Sequence, residues 1–200
     1  MLLELMHRAA SIGWVYDLTQ TLAGAHFVRL RLRRHLAGIC TSADCVLDIG
    51  GGTGRLRSLL PAGSRYICLD LELPKLRRYI SVTSRPNPLQ ADATRLPVRT
   101  ASIDVITWTF VAHHFTDADL SAALDESARV LKDGGHILFI DPILDRRRLP
   151  GWLLWKLDRG SNPRSDEKLC ATLNSRFHVE RWDRFAVFHR YLLGIGRKPG

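Results

Sequence analysis

A glycine-rich turn at residues 48–54, with the sequence DIGGGTG, follows an apolar run and is the part of the chain best suited to holding a ligand. Glycine lets the backbone bend sharply and lets a ligand approach where a Cβ would otherwise stand. A dinucleotide pattern, G-x-G-x-x-G, does not fit, because its sixth position falls on Arg55 or Arg57. A phosphate-binding loop does not fit either, since no lysine follows. The motif therefore predicts a ligand with an amino-acid end, whose ammonium group Asp48 meets directly or through water, and a helix after the loop.

Acidic side chains follow two further apolar runs, where predicted strands end. Asp70 is placed to accept hydrogen bonds from both hydroxyls of a ribose. The carboxylate of Asp92 suits an exocyclic amine, and the backbone N–H of Ala93 suits a ring nitrogen. Leu71 and Leu96 offer apolar contact to a flat base. A methionine end, a ribose and an adenine, met in this order, predict S-adenosyl-L-methionine as the ligand.

The elements that must position these residues alternate in type along the middle of the chain. Short apolar, β-branched runs predict five strands, at 45–49, 65–69, 88–91, 103–108 and 136–140. Before the last of them, Thr116 and Asp119 resemble a capping box, and leucines recur at helical spacing until Gly134 and Gly135, which we expect to end the helix. This alternation predicts an α/β fold with a mostly parallel sheet and helices on both faces.

The two ends of the chain differ from this middle part. Val28, Leu32 and Leu36 recur at helical spacing, which favours a helix, although residues 28–33 also alternate with a period of two and leave a strand open. Residues 177–196 predict two strands joined by a tight connection.

In these motifs the chain resembles the class I S-adenosylmethionine-dependent methyltransferases, specifically their small-molecule branch with the methyltransferase type 11 signature. The similar segments are, in chain order, VLDIGGGTGRL, YICLDLE, LQADATRLP, SIDVITWTFVAHHF and ARVLKDGGHILFID. They run from about Cys45 to Asp141, and five motifs in the correct order form a specific signature.

The resemblance implies a fold and a set of site residues. The fold is a Rossmann-like, seven-stranded, mostly parallel sheet of order 3-2-1-4-5-7-6 with the last strand antiparallel. The whole chain, 1–200, is then a single methyltransferase domain, made of an N-terminal helical lid, a cofactor-binding core, a substrate cap region and C-terminal strands at 1–44, 45–141, 142–175 and 176–200. The implied cofactor-binding residues are Asp48, Gly50, Gly51, Gly52, Asp70, Leu71, Asp92, Ala93 and Thr109.

Two histidines follow the fourth predicted strand. In similar enzymes this pair lies near the transferred methyl group, so His113 or His114 is predicted to be a catalytic base. A structural or pocket-lining role is the alternative, because methyl transfer needs little beyond alignment when the leaving group is already good. Asp141, at the end of the fifth strand, is placed to orient the substrate or a water.

The net positive charge of the chain indicates an anionic partner but does not identify it. The formal net charge is +9, with 29 Lys and Arg residues against 20 acidic ones. Most of this charge is scattered arginine, and its local concentrations are at 29–34 and 146–148, both in the predicted lid and cap. There it is expected to steer an anionic acceptor or to touch an acidic surface. The segment 152–155, WLLW, is open to three interpretations: a helix packed on the sheet, an apolar pocket wall, or peripheral contact with a membrane.

Other classes of site and location are not favoured. The four cysteines show no C-x-x-C spacing and have no nearby histidine pair, so we expect neither a metal site nor a disulfide framework, but reduced thiols in a cytoplasmic protein. The N-terminus carries Glu4, His7 and Arg8 within its apolar stretch, which makes it a poor secretory signal. No run approaches the ~20 apolar residues of a membrane span.

Three functions remain for comparison. The principal hypothesis is methyl transfer from S-adenosyl-L-methionine to a small, apolar or aromatic acceptor at oxygen or carbon. The second is an RNA or other nucleic-acid methyltransferase, although the sequence after the fourth strand is not of the Asn-Pro-Pro-Tyr type that accompanies methylation of planar amino groups. The third is a cofactor-binding protein without methyl transfer. Oligomeric state is not predicted.

Overall fold

Seven strands build the sheet of this protein, whose computed structural model describes residues 25–145, 162–187 and 189–200. The strands are β1 (Cys45–Ile49), β2 (Arg65–Asp70), β3 (Pro88–Gln90), β4 (Ile103–Thr109), β5 (Leu131–Ile143), β6 (His178–Ala186) and β7 (Arg190–Arg197). Their order is β3-β2-β1-β4-β5-β7-β6, and β7 runs antiparallel to both β5 and β6. The predicted strand order and the antiparallel last strand are confirmed.

Helices cover both faces of this sheet. In the described ranges they are α1 (Ala25–Leu36), α2 (Leu73–Val82), α3 (Asp117–Val130) and α4 (Asp166–Asn174), with short 3-10 helices at Arg55–Leu59 and Ala112–His114. The buried side chains of α1 and α2 belong to one apolar cluster, and those of α3 and α4 belong to a second cluster. Since each cluster contains side chains of the central strands, the two helix pairs lie on opposite faces. None of the described helices has the length and apolar character needed to cross a membrane.

Residues 28–33, whose pattern was compatible with either a helix or a strand, lie in α1. Its residues Val28, Leu32 and Leu36 are all buried, at intervals of four residues that bring them to one side of a helix. The period-two alternation of residues 28–33 is therefore incidental. The helix interpretation is confirmed. The helix is favoured because it brings these three apolar side chains to one side, where they pack against the sheet.

The predicted C-terminus of α3 is wrong, while its N-terminus is confirmed. The Oγ1 atom of Thr116 accepts a hydrogen bond from the backbone N–H of Asp119, as expected of a cap. The helix ends at Val130, four residues before Gly134, because Leu131 already pairs with Ile103 of β4. The Gly134–Gly135 pair instead joins the start of β5 to the end of β7 through two backbone hydrogen bonds with Lys198.

A second difference concerns the element after the glycine-rich turn. The expected helix is a 3-10 helix of 5 residues, Arg55–Leu59, whose first turn contains no acidic residue. A 3-10 helix this short carries only a small dipole, so the contribution from a helix terminus that the sequence predicts is small here. Residues 1–24 of the predicted lid, and the arginines and tryptophans predicted at 146–155, lie outside the described residues.

Candidate cofactor and acceptor site

The residues predicted to bind the cofactor meet at one edge of the sheet. Strands β3, β2, β1 and β4 are mutually parallel neighbours, so their carboxyl ends lie side by side. The glycine-rich turn leaves β1 at this edge, Asp70 ends β2, the Asp92 loop follows β3, and Thr109 ends β4. Parallel α/β sheets bind ligands at this edge, because the loops that leave adjacent strands diverge there.

Within the glycine-rich turn, three glycines are required by the packing of the protein itself. A Cβ on Gly50 would lie 2.4 Å from Cγ2 of Val111, and one on Gly54 would lie 2.2 Å from Cδ2 of Tyr79. A Cβ on Gly51 would approach Oδ2 of Asp48 to 2.8 Å. These glycines let the loop after β4, helix α2 and the buried carboxylate pack directly against the turn.

Gly52 is the glycine whose open side suits a ligand. Its φ is +57°, a left-handed conformation, and the atom nearest to a built Cβ is Oδ2 of Asp70 at 3.8 Å. The Gly52 N–H donates a hydrogen bond of 2.9 Å to that same oxygen, while the other carboxylate oxygen accepts from the N–H of Glu72 at 2.8 Å. The carboxylate of Asp70 is therefore fixed beside the open part of the loop, and each oxygen retains acceptor capacity. This arrangement fits the ribose contact predicted for Asp70.

Asp48 lies beneath the turn rather than on its surface. Its side chain is buried and accepts hydrogen bonds from the Tyr66 hydroxyl at 2.6 Å and from Oγ1 of Thr107 at 2.7 Å. Burial raises the pKa of Asp48 to about 6, although both hydrogen bonds act in the opposite direction. The carboxylate thus joins β1 to both neighbouring strands. Contact with an ammonium group stays a prediction and would use the remaining lone pairs.

The residues predicted to surround the adenine differ in exposure. Leu71 is 66% exposed, and its carbonyl accepts a hydrogen bond from the Gln90 side chain at the end of β3. Asp92 is also exposed and accepts the N–H of Thr94 in a turn. The Ala93 and Leu96 side chains are buried in the apolar core, so Leu96 packs on the protein itself and does not offer the expected surface to a base.

At the other end of this edge, the structure brings His113 and Asp141 together. Their Nδ1 and Oδ1 atoms are 3.0 Å apart, and both side chains are buried. Burial raises the pKa of Asp141, and hydrogen bonding from His113 partly offsets that rise. His114 is exposed, with its ring centroid 4.1 Å from that of His113. The two histidines, equivalent in the sequence, therefore differ in environment, and His113 has the carboxylate partner.

Arg164 is a buried residue of this site that the sequence did not reveal. It donates to the carbonyl of Ala112 at 2.9 Å, to that of Phe115 at 2.6 Å and to Oδ1 of Asp117 at 2.8 Å. These contacts fix the segment that carries the two histidines. The local sequence, NPRSDEK, contains no signal for these contacts, because the two carbonyls and the Asp117 carboxylate lie about 50 residues earlier in the chain.

Aromatic side chains lie beside the loop after β4. Phe110 has a φ of +57°, which is uncommon for a non-glycine residue and often marks a functional site. Its ring packs edge-on against Tyr191 with centroids 5.7 Å apart, and Tyr191 stacks on Phe185 at 5.3 Å. Burial, together with the charge of Asp141, raises the pKa of Tyr191 to about 12. Thr109 is half-buried at the adjoining strand end.

Comparison with known proteins identifies one family model, described as a methyltransferase domain, that matches residues 47–139. The ubiquinone/menaquinone biosynthesis C-methyltransferase of Pasteurella multocida is 32% identical over 150 residues, which are 68% of this chain and 55% of that protein. The malonyl-[acyl-carrier protein] O-methyltransferase of a Methylovorus species is 33% identical over 124 residues, or 56% of this chain and 41% of that protein. The chain thus spans about half the length of the curated relatives it matches.

A solved structure shows the same fold over most of the chain. The YcgJ protein of Bacillus subtilis superposes with a TM-score of 0.71 and 19% identity, covering 88% of this chain and 99% of that protein. At this level of identity the likeness concerns the fold alone. The sheet of seven strands described above is therefore one that an experimentally determined protein also adopts.

Proposed function

The chain belongs to the class I methyltransferase family, whose cofactor is S-adenosyl-L-methionine, and from this premise we propose that it methylates a small, apolar or aromatic acceptor at oxygen or carbon. The observation that carries the proposal is the arrangement along one sheet edge. An open glycine turn with a fixed carboxylate, Gly52 and Asp70, stands at one end. A buried histidine–carboxylate pair, His113 and Asp141, stands at the other.

Cofactor binding is assigned to the residues around the glycine-rich turn. Asp70 would accept hydrogen bonds from the ribose hydroxyls, since its carboxylate is held by two backbone N–H groups and needs no reorganisation. Leu71 would cover the base, with Asp92 and the Ala93 N–H at its polar edge. Asp48 would hold the turn in shape from below and attract the ammonium group. When bound, S-adenosyl-L-methionine supplies a methyl group on a sulfonium that is already a good leaving group.

His113 is the residue that we assign to proton removal from the acceptor. When Asp141 is ionised it only accepts hydrogen bonds, so Nδ1 of His113 carries the proton between them and Nε2 is the basic nitrogen. A neighbouring carboxylate also stabilises the imidazolium that forms when the ring takes a proton. An acceptor O–H or an acidic C–H is the kind of group that gains from such a base. For both kinds of acceptor, alignment of the acceptor atom with the methyl group also contributes to the rate.

The surroundings of this pair support an apolar or aromatic acceptor. Phe110 and Val111, which follow β4 and precede Ala112 and His113, are only half-buried. The rings of Tyr191 and Phe185 are buried and pack behind Phe110, so Phe110 and Val111 are the apolar side chains that an acceptor would contact. Aromatic side chains bury large flat surfaces and prefer edge-on or offset stacking with a second ring. An acceptor with an aromatic or polyunsaturated body would bury more area here than a sugar or an amino acid.

The first experiment tests cofactor binding. Titration calorimetry with S-adenosylhomocysteine should show binding by the native chain, and Asp70→Ala should weaken it at least about tenfold, because one acidic acceptor for two hydroxyls is lost. Asp133→Ala, an exposed acidic residue near the opposite edge of the sheet, is the matched control and should bind as the native chain does. Native affinity in Asp70→Ala would remove the ribose assignment.

The second experiment addresses the reaction. The protein is incubated with a cell extract and a cofactor labelled in its methyl group, and the products are separated by solubility. We expect label in an organic-soluble small molecule. Label in RNA would replace this proposal with a nucleic-acid acceptor, and binding without any labelled product would favour a cofactor-binding protein that does not transfer methyl groups.

A further inference from the structure

The charges of the helices differ between the two faces of the sheet. On one face, α1 contains four arginines, α2 contains one lysine and two arginines, and the 3-10 helix Arg55–Leu59 contains two arginines, with no acidic residue in any of them. On the opposite face, α3 has four acidic residues and one arginine, and α4 has two acidic residues and one lysine. Among the helices that the structure describes, the positive charge is therefore on the face covered by α1 and α2.

Exposed apolar side chains lie on the same face. Among residues 25–145, 162–187 and 189–200, every large apolar side chain that is exposed belongs to α1, to α2 or to the turn that leads into α2: Phe27, Leu30, Leu71, Leu73, Ile80 and Val82. Leu71 has a predicted partner in the cofactor, and no ligand is predicted for the other five, although the Phe27 ring also contacts Phe185. Exposed apolar residues scattered singly need no explanation, whereas a group confined to one basic face indicates an interaction surface.

The geometry of α1 and α2 places these residues outward. In α1, burial of Val28, Leu32 and Leu36 leaves Leu30, Arg33 and Arg34 on the opposite side of the helix. In α2, Leu76 and Tyr79 face the core, so Arg77 and Arg78 point away from it, with Leu73 and Ile80 along one flank. The outward residues form two groups on the same face of the sheet, one on α1, which contacts β6 through Asp183, and one on α2, which packs on β2 and β3. Together we name Phe27, Leu30, Arg33, Arg34, Leu73, Arg77, Arg78 and Ile80 the basic–apolar face.

Four arginines of this face are not neutralised by an ion pair with another described residue. Within the part of the chain that the structure describes, Arg33, Arg34, Arg77 and Arg78 form no ion pair. By contrast Arg31, on the side of α1 nearer the sheet, pairs with Asp183. The charge of the four outward arginines is thus available for an external anion.

We propose that the basic–apolar face docks the protein on an anionic membrane surface. Arginine and lysine next to an anionic bilayer gain electrostatic attraction, and leucine, isoleucine and phenylalanine gain by entering the boundary between headgroups and acyl chains. A nucleic acid would match the charge but would leave the aliphatic side chains in water, because bases stack on aromatic rings. Three of the four apolar residues of this face, Leu30, Leu73 and Ile80, are aliphatic, which favours lipid.

The experiment is flotation of the full chain with lipid vesicles. Vesicles of phosphatidylcholine with about one third phosphatidylglycerol should bind the native chain at low salt, and vesicles of phosphatidylcholine alone should bind it at least about tenfold less. The variant Arg33→Glu/Arg34→Glu/Arg77→Glu/Arg78→Glu should lose at least about tenfold in binding to the anionic vesicles. Leu30→Ser/Ile80→Ser, which keeps the charge, should lose severalfold and provides a second test if the first variant fails to fold.

The control must change the net charge equally at another place. Arg95→Glu/Arg99→Glu, exposed residues of the loop beside the acidic α3, is compared with Arg33→Glu/Arg34→Glu, and only the latter should lose binding. Native-like titration with S-adenosylhomocysteine and an unchanged melting temperature verify the fold of each variant. Equal loss in the two double variants, absence of native binding to anionic vesicles, or preferential binding of single-stranded RNA in competition would each overturn the proposal.

Discussion

His113, in the 3-10 helix after β4, meets Asp141 at 3.0 Å in a buried position. Asp141 lies within β5, which continues to Ile143, rather than beyond the end of that strand as predicted. Burial of a carboxylate costs free energy unless the group is hydrogen-bonded. His113 forms hydrogen bonds to Asp141 with its ring and with its backbone N–H. In return the carboxylate holds the imidazole in one orientation and one tautomer. This relationship gives the first of two adjacent histidines a role that the second does not share.

Asp141→Asn should slow methyl transfer at least about tenfold while leaving S-adenosylhomocysteine affinity within about twofold, since the amide no longer fixes the tautomer of His113. The measurement is the initial rate with the acceptor found by methyl labelling, together with calorimetry. His114→Gln is the matched control, because His114 is exposed, and its rate should stay within about threefold of native. Equal rate losses in the two variants would contradict the assignment of His113 as the base.

Asp48→Asn should change how stability depends on pH. A raised pKa means that the folded state prefers protonated Asp48, so the contribution of this one group to stability falls as pH rises from about 4 to about 6. Asparagine cannot ionise. The unfolding free energy of the variant minus that of the native chain should therefore rise by roughly 3 kcal/mol between pH 4 and pH 7 and stay level above pH 7.

Denaturant unfolding at several pH values measures this difference. Asp133→Asn removes a carboxylate that is 70% exposed and should shift the unfolding free energy by no more than about 0.5 kcal/mol at any of them. Parallel stability curves for Asp48→Asn and the native chain would mean that burial of the carboxylate carries no ionisation cost.

Gly54→Ala and Gly134→Ala compare two glycines with nearly the same φ angle. Their φ values are +72° and +71°, so alanine meets a similar strain of about 1–2 kcal/mol at both positions. At Gly54 the new Cβ would also overlap the ring of Tyr79, whereas at Gly134 nothing lies within 4 Å. Gly54→Ala should therefore lower the free energy of unfolding by about 1–3 kcal/mol more than Gly134→Ala does, as measured by denaturant unfolding. Similar losses in both variants would show that Tyr79 yields at little cost.

Arg164→Met and Lys168→Met remove two cations that both pair with Asp117. Arg164 is buried and also serves the carbonyls of Ala112 and Phe115, so its loss should cost at least about 2 kcal/mol, since hydrogen bonds to charged groups contribute about 1.5–3 kcal/mol each. Lys168 is half exposed, and its loss should cost no more than about 0.5 kcal/mol. Chemical denaturation measures the free energy of unfolding of both variants. Comparable losses of stability in the two would contradict the anchoring role of Arg164.

Much of the fold follows from patterns that short segments carry by themselves. The strands β1 to β4 begin at the predicted residues. For β1, β2 and β4 the reason is that a strand buried on both faces needs a nearly continuous apolar run, which a local window of the sequence displays; β3 has 3 residues and is mostly exposed. The cap at Thr116 was predictable for the same reason, since its partner Asp119 is three residues away. The end of α3 was not, because Leu131 is drawn into the sheet by Ile103, a residue distant in the chain.

The amino-acid sequence alone determined the family, the strand order implied by it and the residues grouped around Gly52 and Asp70. These follow from contiguous motifs whose members are neighbours in the chain. Only the tertiary structure decided that Asp48 is enclosed by Tyr66 and Thr107, that His113 rather than His114 has Asp141 as partner, and that Arg164 anchors their segment. The physical reason is that hydrogen bonds and burial depend on distances between residues far apart in sequence, which no local pattern encodes.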